Sequence, residues 1–370
     1  MRDRADVIVV GTGIVGLSLS FELVRRGVAA ILVGRPLRST GAPAGLGLVN
    51  AQTRGCPGPE PFHDLALLSR QLFADWVESI EAESGMAVEY DVRGGMAVTL
   101  TDAEDVALDR TLDWQRARSL PFDVLPGEEA AVREPSLSEE IRTAFTFPLD
   151  GTLAPGKLHR SLSLAARSAG VRIHESRFPA VLVSEGGRAT GVETAEGRLV
   201  ADAVVEAGDV SGLAVPGATA APGVMATCAV LDVDPSPDAD RLSRFVWTGG
   251  AWIVPRRDGS ASIAGGPDPG SADGRPRAGA LSALIEAAAR AVPAVRDYRI
   301  LSCSESPCRL SPDGCPTLGA GAIPGYFLVC GLGGDEILLA PAAALFLAEM
   351  LSGRTPPLPP GPYHPTRFRP

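Results

Sequence analysis

The chain has 370 residues, 45% of them hydrophobic and 21% charged, a globular composition long enough for two sub-domains around a shared core. Its formal net charge of −10 argues against nucleic acid or an anionic membrane surface as the main partner. The six cysteines show no CxxC spacing and no two of the four histidines lie at i,i+4, which sets aside a zinc site, a His-based metal centre and a Ser-His-Asp triad.

The opening MRDRADVIVVG leads from charges through a strand-length apolar run into a glycine turn, too short for a signal peptide. With no apolar stretch of membrane-spanning length, the expected location is the cytoplasm, and the cysteines read as free thiols. Lys157 is the only lysine, and the Ala-, Pro- and Gly-rich composition makes arginine abundance uninformative.

Asp6–Val10 is a predicted buried strand, Gly11-Thr12-Gly13-Ile14-Val15-Gly16 a tight turn, and Leu17–Gly27 a helix with a glycine stop. Ala29–Val33 is a second buried strand, closing a βαβ unit. A small-residue loop covers Ser39–Val49, an amphipathic helix is predicted over Leu65–Ser84 and a charged helix near Ala103–Ser119. A helix over Leu158–Gly170 leads into Val171–His174 and a β-meander whose turns fall at Glu185-Gly186-Gly187 and Glu196-Gly197. Beyond Gly212 come short strands, including Ala251–Pro255 and Ser260–Ala264, and a helix near Ala278–Ala291. Strand Tyr326–Cys330, the glycines Gly331, Gly333 and Gly334, and helix Ile337–Leu351 follow, and a Pro-rich tail over 353–370 is expected to be weakly ordered.

This order implies an α/β fold with an α+β insert. Residues 1–80, 150–220 and 320–352 would form one discontinuous Rossmann-like nucleotide-binding domain, and 81–149 with 221–319 an inserted antiparallel-sheet substrate domain. The glycine turn from Gly11 aims backbone N–H groups and a helix N-terminus at a pyrophosphate. The second strand lacks the usual terminal acid for a ribose. Gly34 and Arg35 stand there instead, which on these residues alone also suits the 2′-phosphate of NADP.

The rest of the chain resembles the D-amino-acid-oxidase-like flavoenzymes, the group with glycine oxidase, sarcosine oxidase and the opine-type dehydrogenases. The resemblance runs from Asp6 to about Ser352. It is carried by GTGIVG, the loop into Asn50-Ala51-Gln52-Thr53-Arg54-Gly55, DGTLAPGKLHRSL at 150–162, GVRIHES and the meander to Gly212, WIVPR at 252–256, SPDGCPTLG at 311–319 and GLGGDEILLAP at 331–341.

The resemblance implies FAD, held without a covalent bond. Gly11, Gly13, Ile14 and Val15 would hold the pyrophosphate, with Gly34 and Arg35 beside the ribose. Thr40, Gly41, Gly47, Leu48 and Val49 would approach the phosphates and the flavin ring. Pro179 would stand at the adenine, and Ala207 and Gly208 would pack on the nucleotide. Gly333, Gly334, Asp335, Glu336 and Ile337 would lie at the pyrimidine end, where a helix N-terminus favours the charge of the reduced flavin.

Four positions depart from that pattern. Gly34 replaces a glutamate; Pro179 has no N–H for adenine; Glu336 replaces a glycine, turned either to solvent or to a cationic substrate nitrogen. The family's substrate-carboxylate arginine falls at Cys308, with Arg309 one later, and strand alternation sends Arg309 to the opposite face unless a bulge corrects it. Cys308 as a covalent flavin anchor is the alternative use of that site. Trp252 falls where glycine-oxidase-like enzymes place an aromatic over the substrate, with a core role as the alternative, and Arg256 reads as a structural charge.

The implied activity is hydride removal from the carbon beside the nitrogen of a small amine or amino acid, with O₂ reoxidising the flavin. The competing readings are an FAD dehydrogenase feeding a quinone or partner subunit, an NADP-dependent reductase and a non-catalytic flavin-fold protein. Assembly as a homo-oligomer stays open.

Overall fold

Two kinds of apolar pattern, continuous runs and alternating ones, sort the chain into two β-sheets in the computed structural model, which describes residues 4–36, 45–54, 59–216, 222–235, 237–269 and 275–368. The first half runs β1 (Arg4–Val10), α1 (Ile14–Arg25), β2 (Ala30–Gly34), β3 (Leu48–Val49), α2 (Glu60–Ser84), β4 (Gly95–Thr99), α3 (Asp102–Ala117), β5 (Asp123–Pro126), α4 (Gly127–Arg133), β6 (Thr143–Phe147), β7 (Gly151–Thr152) and α5 (Pro155–Ser168). Then come β8 (Arg172–Glu175), β9 (Ala180–Glu185), β10 (Arg188–Thr194), β11 (Gly197–Ala207), β12 (Leu213–Ala214) and β13 (Val224–Asp234). The chain continues through β14 (Phe245–Thr248), β15 (Ala251–Pro255), β16 (Ala261–Ala264), α6 (Ala278–Ala291), β17 (Arg299–Leu310), β18 (Thr317–Ala320), β19 (Tyr326–Cys330) and α7 (Glu336–Leu351).

β1 is central in the first sheet. It pairs in parallel with β2 and with β11, which is why Val7, Ile8, Val9 and Val10 are all buried. β8 extends the parallel layer beyond β2, and β19 lies parallel to the C-terminal half of β11. The N-terminal half of β11 carries the antiparallel meander β9–β10. Helices α1, α2, α5 and α7 cover one face and share the largest apolar core, around Leu17, Phe21, Leu65, Phe73, Leu162 and Phe346.

The second sheet has the order β17-β13-β16-β15-β14-β4-β6-β5, antiparallel except between β14 and β4. Alternate residues of β15 and β16 meet the apolar side of α6 at Leu284 and Ala288. The fold is thus an α/β layer with an antiparallel-sheet unit inserted into its chain, as the order of patterns implied.

A buried carboxyl holds the segment joining the sheets. Asp150 accepts the N–H of Gln52 at 2.9 Å, the N–H of Thr53 at 2.8 Å and the hydroxyl of Thr53 at 2.5 Å. Burial pushes it up to about 6, against the pull of those donors and of Arg70. A carboxyl raised by folding contributes stability that is full below its unfolded value near 4 and is lost as pH rises through 6. That contribution is at most about 3 kcal/mol. Asp150→Asn is expected to remove this slope, read from urea midpoints between pH 4 and pH 7; an unchanged slope would contradict the assignment.

The expectation of a weakly ordered tail is corrected for its described residues, 353–368, which dock on the domain. Tyr363 is 1% exposed, stacks edge-on against Phe346 and donates its hydroxyl to the carbonyl of Pro61 at 2.7 Å. Arg367 binds Asp313 at 2.7 Å and the carbonyl of Cys315 at 2.7 Å. Proline stops a helix, but it does not stop a chain from docking through one aromatic and one guanidinium.

Candidate functional site

A cavity of about 400 Å³ opens where the C-terminal ends of the parallel strands face the second sheet. Its floor is the turn between β1 and α1. A Cβ on Gly11 would lie 2.0 Å from the carbonyl oxygen of Ala207, and one on Gly16 would lie 1.8 Å from the carbonyl oxygen of Gly11. Only glycine lets these three segments close up. Gly13 differs, because a Cβ there would meet nothing within 4 Å. It is the N-cap of α1, no side chain caps that helix, and Gly13, Ile14 and Val15 line the cavity. The result is an anion cradle of free helix N–H groups with room above it.

Arg35 lines the nucleotide end of the cavity. Gly34 does not: it packs against Thr12, where a Cβ would come within 3.1 Å of the methyl carbon. Leu48 lines the cavity and Val49, its neighbour on β3, is buried in the core, as alternation requires. Gly47, Ala207 and Gly208 line it too, whereas Pro179 is exposed and stands outside it. Thr40 and Gly41 lie outside the described residues.

At the far end, the turn into α7 presents Gly333 and Gly334, its N-cap Asp335, and its first residues Glu336 and Ile337. The Glu336 carboxyl accepts backbone N–H groups of Gly334 and Glu336, yet burial, aided by Asp209 and Asp335, pushes it up to about 7. Asp209 accepts the N–H of Arg309 at 2.7 Å and that of Gly331 at 2.5 Å, which ties β11 to β17 and β19. Burial raises it as well. Arg54 reaches in from the turn before α2 and pairs with Asp335 at 3.0 Å.

The wall opposite is the second sheet. Trp252 lines it beside its cross-strand partner Ala264, with the indole packed on Trp247 and Phe245. Cys228 and Cys308 line it from β13 and β17, with their sulfurs 3.5 Å apart. Contact with Cys228 and burial both raise the Cys308 thiol. The β13–β17 register shifts only at Asp232/Val233, so no bulge turns Arg309 inward. Cys308 faces the cavity and Arg309 does not line it, so the carboxylate-clamp expectation for Arg309 is corrected.

Sequence reasoning missed Arg54, Asp209, Cys228 and Val230 as cavity residues. Asp209 follows Ala207-Gly208 directly and could have been found from that position. Cys228 and Val230 share one face of β13 by alternation, but only the pairing of distant strands brings that face here.

A family profile described as FAD dependent oxidoreductase, DAO, matches residues 6–350. A glycine oxidase of Geobacillus kaustophilus is 28% identical over 364 residues, spanning 95% of this chain and 94% of that protein. A glycine oxidase of Pseudomonas aeruginosa is 29% identical over 372 residues, spanning 97% of this chain and 98% of that protein. The solved structure of glycine oxidase from Geobacillus kaustophilus superposes with a TM-score of 0.87 at 25% identity, covering 99% of each chain.

Proposed function

The chain belongs to the DAO family of FAD dependent oxidoreductases, and from that premise we propose that this enzyme oxidises a small amine or amino acid at the carbon bearing nitrogen, giving an imine that hydrolyses. The family makes FAD the cofactor, and the uncapped α1 N-terminus with open space at Gly13 fits a pyrophosphate. The family match weighs against the NADP reading of Gly34-Arg35, whereas the cradle itself suits the pyrophosphate of either dinucleotide. When bound, FAD accepts the hydride pair.

In this reading Gly13, Ile14 and Val15 hold the pyrophosphate without a covalent bond. Arg35 stands by the ribose, and the first turn of α7 offers N–H groups at the pyrimidine end. Trp252 and the β13–β17 wall shape the substrate space and keep water out. The described cysteines are free thiols. No helix among the described residues is long and apolar enough to cross a membrane.

The observation that carries the amine assignment is the acidic end of the cavity, where Glu336 and Asp209 face Trp252 and the β13–β17 wall. With a value near 7, Glu336 becomes a carboxylate as pH rises through neutrality, when it can hold an ammonium group. Asp209, Asp335, Arg54 and Cys308 complete its charged and titratable surroundings. The KM for an amine is therefore expected to fall several-fold between pH 6 and pH 8, and Glu336→Gln to flatten that profile. A Glu336→Gln profile that matches the parent would remove Glu336 from substrate binding.

Aerobic turnover with a panel of small amines and amino acids tests the function. Carbonyl product and hydrogen peroxide in equal amounts are expected. Carbonyl product that forms without peroxide, and only when an added quinone takes the electrons, would assign the dehydrogenase reading, and no carbonyl product from any amine with either O₂ or quinone as acceptor would end the amine assignment.

A further inference from the structure

A second cavity, of about 650 Å³, lies on the inserted sheet away from the glycine turn, between the β15–β16 hairpin and the β13–β14 connection. In a chain of net charge −10 its charged lining is mostly cationic: Arg93, Arg241, Arg244, Arg256 and Arg257 against Glu89 and Asp91.

The ion pairs leave positive charge over. Glu89 is taken by Lys157, and Arg244 is taken by the buried Glu134. Arg93 and Arg257 share Asp91, at 2.8 Å and 3.7 Å. Arg256 is held by the carbonyls of Leu46 at 2.9 Å and Leu153 at 3.0 Å and by the Ser262 hydroxyl, none of them a charge. Burial lowers its guanidinium from the ordinary value, against the pull of Asp258 and of Asp232, whose carboxylate accepts the Ser262 hydroxyl. Arg241 lies against Gly259, where a Cβ would come within 2.0 Å of its terminal nitrogen, and it has no ion pair among the described residues. The other lining is apolar: Leu242, Phe245, Ile253 and the Tyr298 ring.

A concave, partly apolar surface where Arg241 has no ion pair among the described residues and the exposed Arg257 shares one carboxylate with Arg93 has the ordinary chemistry of a site for an organic oxyanion. We propose that this cavity binds a small organic phosphate with an apolar body, the phosphate on Arg241 and Arg257 and the body against Leu242, Phe245 and Tyr298. The volume exceeds what inorganic phosphate fills, so the body contributes to binding. The site is separate from the glycine-turn cavity, and its failure would leave the flavin assignment untouched.

Calorimetric titration of the FAD-loaded protein with phenyl phosphate at constant ionic strength tests this. One site per chain is expected, with affinity at least tenfold weaker in the double variant Arg241→Ala/Arg257→Ala. Both side chains are exposed, so the flavin spectrum should stay that of the parent. With the parent protein alone, added inorganic phosphate should displace phenyl phosphate while chloride at equal ionic strength should not. No binding, equal binding of phenol, parent-like affinity in the double variant, or equal displacement by chloride would each overturn the proposal.

Discussion

Gly13→Asp is expected to give a folded protein that has lost FAD. Gly13 has φ −74° and ψ 179°, a conformation open to any residue, and a Cβ there meets nothing within 4 Å. As N-cap of α1, an aspartate would accept an N–H of the first turn and hold the helix slightly better than glycine, by a few tenths of a kcal/mol. The same carboxylate would stand in the anion cradle. Two like charges about 4 Å apart near a protein surface repel by about 4 kcal/mol, roughly a thousandfold in affinity. Gly13→Ala has the space without the charge, so its loss should be far smaller. FAD titration followed by fluorescence quenching, beside a thermal melt of each apoprotein, separates the two effects. A Gly13→Asp protein that binds FAD like the parent would mean that the pyrophosphate lies elsewhere.

The second large effect is expected from the tail. Deleting residues 354–370 removes the buried Tyr363 ring, its bond to Pro61 and the Arg367 contacts to Asp313 and Cys315. Loss of one buried aromatic costs about 3–5 kcal/mol. Tyr363→Ala alone should account for most of the deletion's cost, read as a lower urea midpoint. A deletion variant with the parent midpoint would show that the tail contributes nothing to stability.

Much of this architecture could be read from the chain because its signals are local. The run DVIVV, the glycine turn and the apolar helix behind it lie within about thirty residues, the span of one βαβ unit. Strands Ala251–Pro255 and Tyr326–Cys330 and helix Ala278–Ala291 fall where their periodicity put them. The tail misled because prolines dominate its composition, while one tyrosine and one arginine carry its docking. Its partners Phe346 and Asp313 belong to other elements, so nothing local announces the contact.

The substrate side was legible only in part, for a related reason. Trp252 lines the cavity, but what it faces depends on pairing among β13, β15, β16 and β17. Cys228 and Cys308 lie 80 residues apart in the chain and 3.5 Å apart in space. Whether Arg309 or Cys308 points inward is a matter of register, and that no bulge interrupts β13–β17 near them is something no local pattern reveals. Arg54 lay within a recognised motif, but its role did not show there; its pairing with Asp335, the N-cap of α7, joins segments far apart in the chain.

The central claim is that a flavin held at the glycine turn takes electrons from a small amine. Its most direct test is anaerobic titration of the FAD-loaded protein with small amines and amino acids, followed at the visible flavin band. The account predicts that at least one of them bleaches the band fully and that admitting air restores it when O₂ is the acceptor. A protein that carries FAD, is bleached by dithionite and is bleached by none of these compounds would contradict it.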